Sequence, residues 1–131
     1  MTKPYTYDAF VPGTILGHWE EPLDDRLVAT WGRLFGKHPQ DHDAQWTGLA
    51  VALMMRAYLN VVSPRPPGNI HAQQALSIRN LPRMGEIVQS RVQCLDKEIR
   101  RERRYLHLEV SGTGAQGRSL YTGRMQLIWA A

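Results

Sequence analysis

Two histidines, two aspartates and a proline crowd into Gly36–Asp43, which reads Gly-Lys-His-Pro-Gln-Asp-His-Asp. The most apolar run of the chain, Ala44–Val62, follows at once. Imidazole changes charge near neutral pH, and a neighbouring carboxylate can share or position its proton. The segment therefore holds imidazoles and carboxylates close enough in sequence for acid–base chemistry. Asp41 or Asp43 also suits a helix N-cap, because its side-chain oxygen accepts from the free N–H groups of the first turn. A helix starting there presents unpaired N–H groups, which favour a partial negative charge. His38 and His42 have the i, i+4 spacing of a metal pair, but Pro39 lies between them and no further ligand is evident.

The element that must position this segment is the run over 44–62, read as a buried central helix. Leu49, Val51, Leu53, Met54, Met55 and Tyr58 do not fit one stripe, so the helix is expected to be wrapped by other structure. Arg56 and Asn60, and an uninterrupted apolar stretch only from Leu49 to Met55, rule it out as a bilayer span of roughly 20 residues. Before it, Thr14–Glu20 reads as a short strand stopped by Pro22, and Asp24 or Asp25 caps a helix carrying Leu27, Val28, Trp31, Leu34 and Phe35, which Gly36 ends. Ser63-Pro-Arg-Pro-Pro-Gly68 breaks the helix, and strand character follows: 70–78, 87–95, 104–111 and 119–129. Leu106, Leu108 and Val110 share one face, as do Tyr121, Met125, Leu127 and Trp129. Short turns make the strands antiparallel neighbours. Only the long helix can cover the sheet's apolar face, which makes the chain an α+β domain, an antiparallel sheet around one long helix.

At 131 residues with 43% hydrophobic content, the chain reads as one domain, 1–131, with an ordered core. Cys94 is the single cysteine, so no intrachain disulfide forms; it reads as a small buried strand residue. Met1–Pro12 is irregular, tacked on by Tyr5, Tyr7 and Phe10, and shows no signal-peptide pattern, so a cytoplasmic location is expected. The net charge of +4 is modest. Asp96–Arg104, with five basic and three acidic residues, reads as a solvated turn. No nucleic-acid motif accompanies it, and neither nucleic acid nor membrane is expected as a partner.

This pattern resembles the hot-dog fold, and within it the MaoC-like hydratase/dehydratase group. Val11-Pro-Gly-Thr-Ile-Leu-Gly17 looks like the opening turn and strand, Leu81-Pro-Arg-Met-Gly-Glu-Ile-Val88 like the stretch between the second and third strands, and Ser111-Gly-Thr-Gly-Ala-Gln-Gly-Arg118 like the last hairpin. The group's signature, Gly-Asp-x-Asn-Pro-x-His leading into the central helix, is similar to Gly36–His42. Gly36 and His42 match; Lys37 stands where the catalytic aspartate is usual, and the proline is displaced to Pro39.

The resemblance implies an enoyl-CoA or 3-hydroxyacyl thioester hydratase or dehydratase. Its substrate would be an acyl-CoA or acyl-carrier thioester, with no further cofactor and no metal. The expected catalytic residues are His42 with Asp41 or Asp43, and Asp43 is also read as a cap. The candidate substrate-binding residues are Gly48, Arg79, Arg83 and Arg100, the arginines (with Arg101) meeting nucleotide phosphates. A thioesterase in which Asp41 or Asp43 activates water, and a non-catalytic partner subunit favoured by Lys37, are the alternatives. His18, His71 and His107 read as ordinary strand residues and His38 as a surface residue. An exposed sheet edge implies a homodimer or an oligomer of dimers.

Overall fold

The computed structural model describes residues 4–24, 26 and 42–131, with the helix side chains described from Gly48 onward. The expected helix over 24–36 and most of the Gly36–Asp43 segment, Lys37, His38 and Asp41 included, lie outside the described residues. Five strands form one antiparallel sheet: β1 (Ile15–Pro22), β2 (Ile70–Ile78), β3 (Ile87–Arg100), β4 (Arg103–Thr113) and β5 (Ser119–Trp129). Their spatial order is β1-β3-β4-β5-β2. The central helix, His42–Val61, crosses from β1 to β2 in the sequence and packs on β1, β3 and β4.

Alternation builds the core. Leu106, Leu108 and Val110 on β4 and Tyr121, Met125, Leu127 and Trp129 on β5 are all buried under the helix. Fully burying a large aliphatic or aromatic side chain stabilises the fold by about 2 kcal/mol, so this face fixes the register of each strand. Cys94 lies in the same layer, fully buried.

The helix buries one face within this chain, not all of them. Leu49, Ala50, Leu53, Met54, Ala57 and Tyr58 are covered, whereas Val51, Ala52 and Met55 are half-covered and Leu59 is 41% exposed. Their recurrence every three to four residues is that of a single stripe, so the density of apolar residues had hidden a seam.

Three boundaries differ from expectation. β1 runs past Glu20 and ends on Pro22 itself, which is paired with Ile87 on an edge strand, where a missing N–H is tolerated. Asp43 is the second residue of the helix rather than its cap, a first-turn position that still favours negative charge. The stretch from Asp96 is strand through Arg100, and only Arg101 and Glu102 turn the chain. A bulge between Cys94 and Asp96 shifts the alternation, after which Asp96 faces His107 and Glu98 faces Tyr105.

The N-terminal segment packs against the end of β5. Phe10 is fully buried, edge-on to Trp129 at 5.2 Å between ring centroids. The Trp129 indole N–H donates to the Tyr5 carbonyl at 2.7 Å, and Tyr5 N–H donates to Pro64. The Lys97 ammonium sits 4.4 Å above the Tyr7 ring and donates to its carbonyl.

Candidate functional site at the head of the central helix

His42 is the first residue of the central helix and Asp43 the second. The path of the helix follows from two glycines that let it approach the sheet. A Cβ at Gly17 of β1 would meet Val61, and a Cβ at Gly123 of β5 would meet Met54. Gly17 and Gly123 share a row across the sheet, through Val92 and Val110. Running backward from Val61 to Met54, the helix therefore crosses the strands from β1 to β5. The remaining twelve residues to His42 add about 18 Å at 1.5 Å per residue. Only β2 lies beyond β5, so the head of the helix is carried toward the β2 edge. His71, Gln74, Leu76 and Ile78 occupy the helix-side register positions of that strand, opposite Leu127, Met125, Gly123 and Tyr121.

Gly48 lies one and a half turns into the helix and is half-buried. The candidate arginines are not brought together. Arg79 follows β2, its N–H bound to the Leu120 carbonyl, and Arg83 is in the β2–β3 turn. Arg100 is at the other end of the sheet, opposite Arg103 and one step past Trp129. Nine residues of β5 separate the two levels, roughly 30 Å at strand rise. One nucleotide cannot engage both groups.

Three polar clusters that sequence reading had not singled out tie the elements of the fold together. Glu86 is buried and clasps two turns: its carboxylate accepts from Arg83 N–H at 2.6 Å, from Ala115 N–H at 2.8 Å and from the Arg118 guanidinium. Burial pushes its pKa up, but the Ala115 and Arg83 N–H groups and the Arg118 charge outweigh it and hold the carboxyl below its usual value. The same residue ties down the exit of β1, since Leu23 N–H donates to the Glu86 carbonyl at 2.7 Å.

Glu21, nearly buried on β1, accepts from Arg56 of the helix at 2.9 Å and from the Trp19 indole at 2.6 Å. Ser90 and Tyr121 share a buried hydrogen bond of 2.6 Å, and burial pushes the Tyr121 phenol up to about 12 against the opposing effect of that bond. The only advance signal for these pairs was a polar residue at an inward position of a strand: Glu21 two after Trp19, Ser90 between Val88 and Val92.

His18 and His107 are on the solvent face of the sheet, His107 within 3.7 Å of Glu98, and His71 is the second residue of β2. Among the described residues no group of histidine, cysteine, aspartate and glutamate could hold a metal ion, and no helix is long and apolar enough to cross a membrane.

The sequence matches no protein-family model and no curated protein. The architecture does find counterparts. A MaoC-like dehydratase from Rhodospirillum rubrum superposes with TM-score 0.75 over 97% of this chain and 98% of its own, at 13% identity. This is the hot-dog fold. The unliganded R-hydratase PhaJ1 from Pseudomonas aeruginosa superposes with TM-score 0.74 over 95% of this chain and 84% of its own, at 15% identity. A hypothetical thioesterase from Streptococcus pneumoniae, solved with coenzyme A, gives TM-score 0.54 over 64% of each chain, at 13% identity. Solved structures described as a hydratase and a dehydratase thus share this fold over nearly the full length of the chain.

Proposed function

We propose that this chain is an acyl-thioester hydratase or dehydratase acting on 2-enoyl or 3-hydroxyacyl thioesters of coenzyme A or a carrier protein. The observation that carries the reading is the position of His42 as the first residue of the central helix, in a hot-dog sheet shared with a hydratase and a dehydratase. Hydration adds hydroxide to C3 and a proton to C2 of the enoyl group. That requires a base for the water, an acid for C2 and donors for the enolate oxygen. Free N–H groups at the head of the helix supply the donors. His42 handles one proton, and Asp41 or Asp43 takes the role that Lys37 cannot fill. Arg79 and Arg83 are the arginines that serve the phosphates, and Arg100 is assigned elsewhere.

The test is crotonyl-CoA hydration, followed as loss of enoyl absorbance, in wild type beside His42→Ala. Turnover in the wild type that vanishes in the variant supports the reading. A wild type that leaves crotonyl-CoA unchanged yet releases free thiol from acyl-CoA, in a manner lost with Asp41→Ala or Asp43→Ala, replaces it with a thioesterase. The likeness to a coenzyme A-bound thioesterase favours that second reading.

A further inference from the structure

The β3–β4 hairpin ends in a tip whose composition works against its own stability. Arg101 and Glu102 both adopt positive φ, 53° and 66°, positions that Asn and Gly occupy without strain. Arg100 and Arg103 are directly opposed across the hairpin, a like-charge pair. The tip is held out by cross-strand pairing to its last residue, and 98–104 is exposed throughout. The Arg100 guanidinium carbon sits over the Tyr105 ring, 4.6 Å from its centroid, with Glu98 3.9 Å away. Ile99, at 65%, is the most exposed of the large hydrophobic side chains. Arg104 donates to the Ala130 carbonyl, while Arg101 and Arg103 make no ion pair among the described residues.

Local rules broken at an exposed, ordered point are the mark of a surface kept for binding. We propose that this tip docks a carboxylate-rich surface of a partner protein. Forked guanidiniums, one pre-oriented on an aromatic ring, match carboxylates in pairs, and Arg, Tyr and an exposed aliphatic residue form the usual centre of a protein interface. A bilayer or a polyphosphate presents a uniform negative field, which Glu98 and the apical Glu102 oppose. A folded partner can set carboxylates against the arginines and leave both glutamates beside solvent or donors. The tip lies at the far end of the sheet from Arg79 and Arg83, so this contact is separate from the proposed thioester site and stands whether or not the chain is a hydratase.

Fluorescence anisotropy of a labelled peptide that alternates glutamate with glycine tests the proposal on the full chain, because spaced carboxylates can meet the arginines without facing Glu98 and Glu102. Saturable, salt-sensitive binding is expected, weakened roughly tenfold by Arg101→Glu with Arg103→Glu. The charge-matched variant Arg91→Glu with Arg124→Glu, at exposed strand positions away from the tip, should bind nearly as the wild type does. Arg101→Gln with Arg103→Gln, with unchanged circular dichroism, repeats the measurement without charge reversal. Equal losses in the tip and control variants reduce the binding to bulk charge and overturn the proposal. So does binding to phosphatidylglycerol vesicles, but not to the peptide, that the tip variants abolish.

Discussion

At the scale of single residues, Glu86 is the clearest case of a buried charge tied to the structure by its neighbours. Its carboxylate accepts two backbone N–H groups and the Arg118 guanidinium. Glu86→Ala leaves all three donors unpaired in a buried site, with an expected loss of about 3 kcal/mol in urea unfolding. The pH dependence has a definite sign. A carboxyl held below its ordinary value when folded contributes stability above the unfolded pKa of about 4.3, and that contribution is lost as pH falls through the folded value. Wild-type stability should therefore fall on acidification below about pH 4 more steeply than that of Glu86→Gln; parallel curves in chemical denaturation would show that the carboxylate carries no such linkage. Tyr121 supplies a second residue-scale test. Its ring lies where a Cβ at Gly112 would be, and its hydroxyl is fastened to Ser90, so it cannot swing away. Gly112→Ala should cost about 2–3 kcal/mol through overpacking. Gly85→Ala is a useful contrast: its Cβ meets nothing, and its penalty is that of positive φ alone.

At the scale of elements, the β3–β4 turn carries strain that substitution can remove. Replacing Arg101 and Glu102 by Asn and Gly supplies the residues that suit two positive-φ positions, and should raise stability by about 1 kcal/mol, seen as a higher melting temperature. An unchanged or lower value would mean that Arg101 and Glu102 stabilise the turn through their side chains. The same hairpin shows what was legible in the sequence. Uncharged strands declared themselves by alternation: Leu106, Leu108 and Val110, or Tyr121 through Trp129. The length of β3 did not, because Asp96, Glu98 and Arg100 are solvated strand residues and the bulge before Asp96 breaks the period. A charged strand and a charged turn have the same composition, and only pairing with His107, Tyr105 and Arg103 separates them. The central helix was legible within two residues, 44–62 against His42–Val61, because Ser63–Gly68 stops it sharply. Its single buried seam was not legible, since Val51, Met55 and Leu59 are as apolar as the residues that pack. The polar segment was expected to lead into the central helix, and His42 is the helix's first residue. Which arginines stand together could not be read, because Arg79 and Arg100 are separated by strand direction and not by sequence composition.

At the scale of the whole molecule, the sheet ends on β2, which among the described residues pairs only with β5. Its sequence, Ile-His-Ala-Gln-Gln-Ala-Leu-Ser-Ile, contains no lysine, glutamate, aspartate or proline, the residues that normally blunt an edge. Ile70 through Ala75 are exposed, on both faces of the strand. Such an edge invites another strand, and a second copy running antiparallel would extend the sheet continuously and hide its open backbone groups. The helix is carried toward the same edge, so pairing there would also bring the second chain close to His42 and to the half-covered Val51 and Met55. Light scattering should give twice the chain mass at micromolar concentration. Ala75→Lys with Gln73→Lys places like charges on both strands of the paired edge, and should shift the protein to the single-chain mass while leaving its circular dichroism unchanged. If the wild type scatters as one chain, β2 is an open edge in solution, and the thioester site must then be complete within one copy. If the dimer persists in the lysine variant, the contact uses another surface, and the exposed faces of the helix become its first candidate.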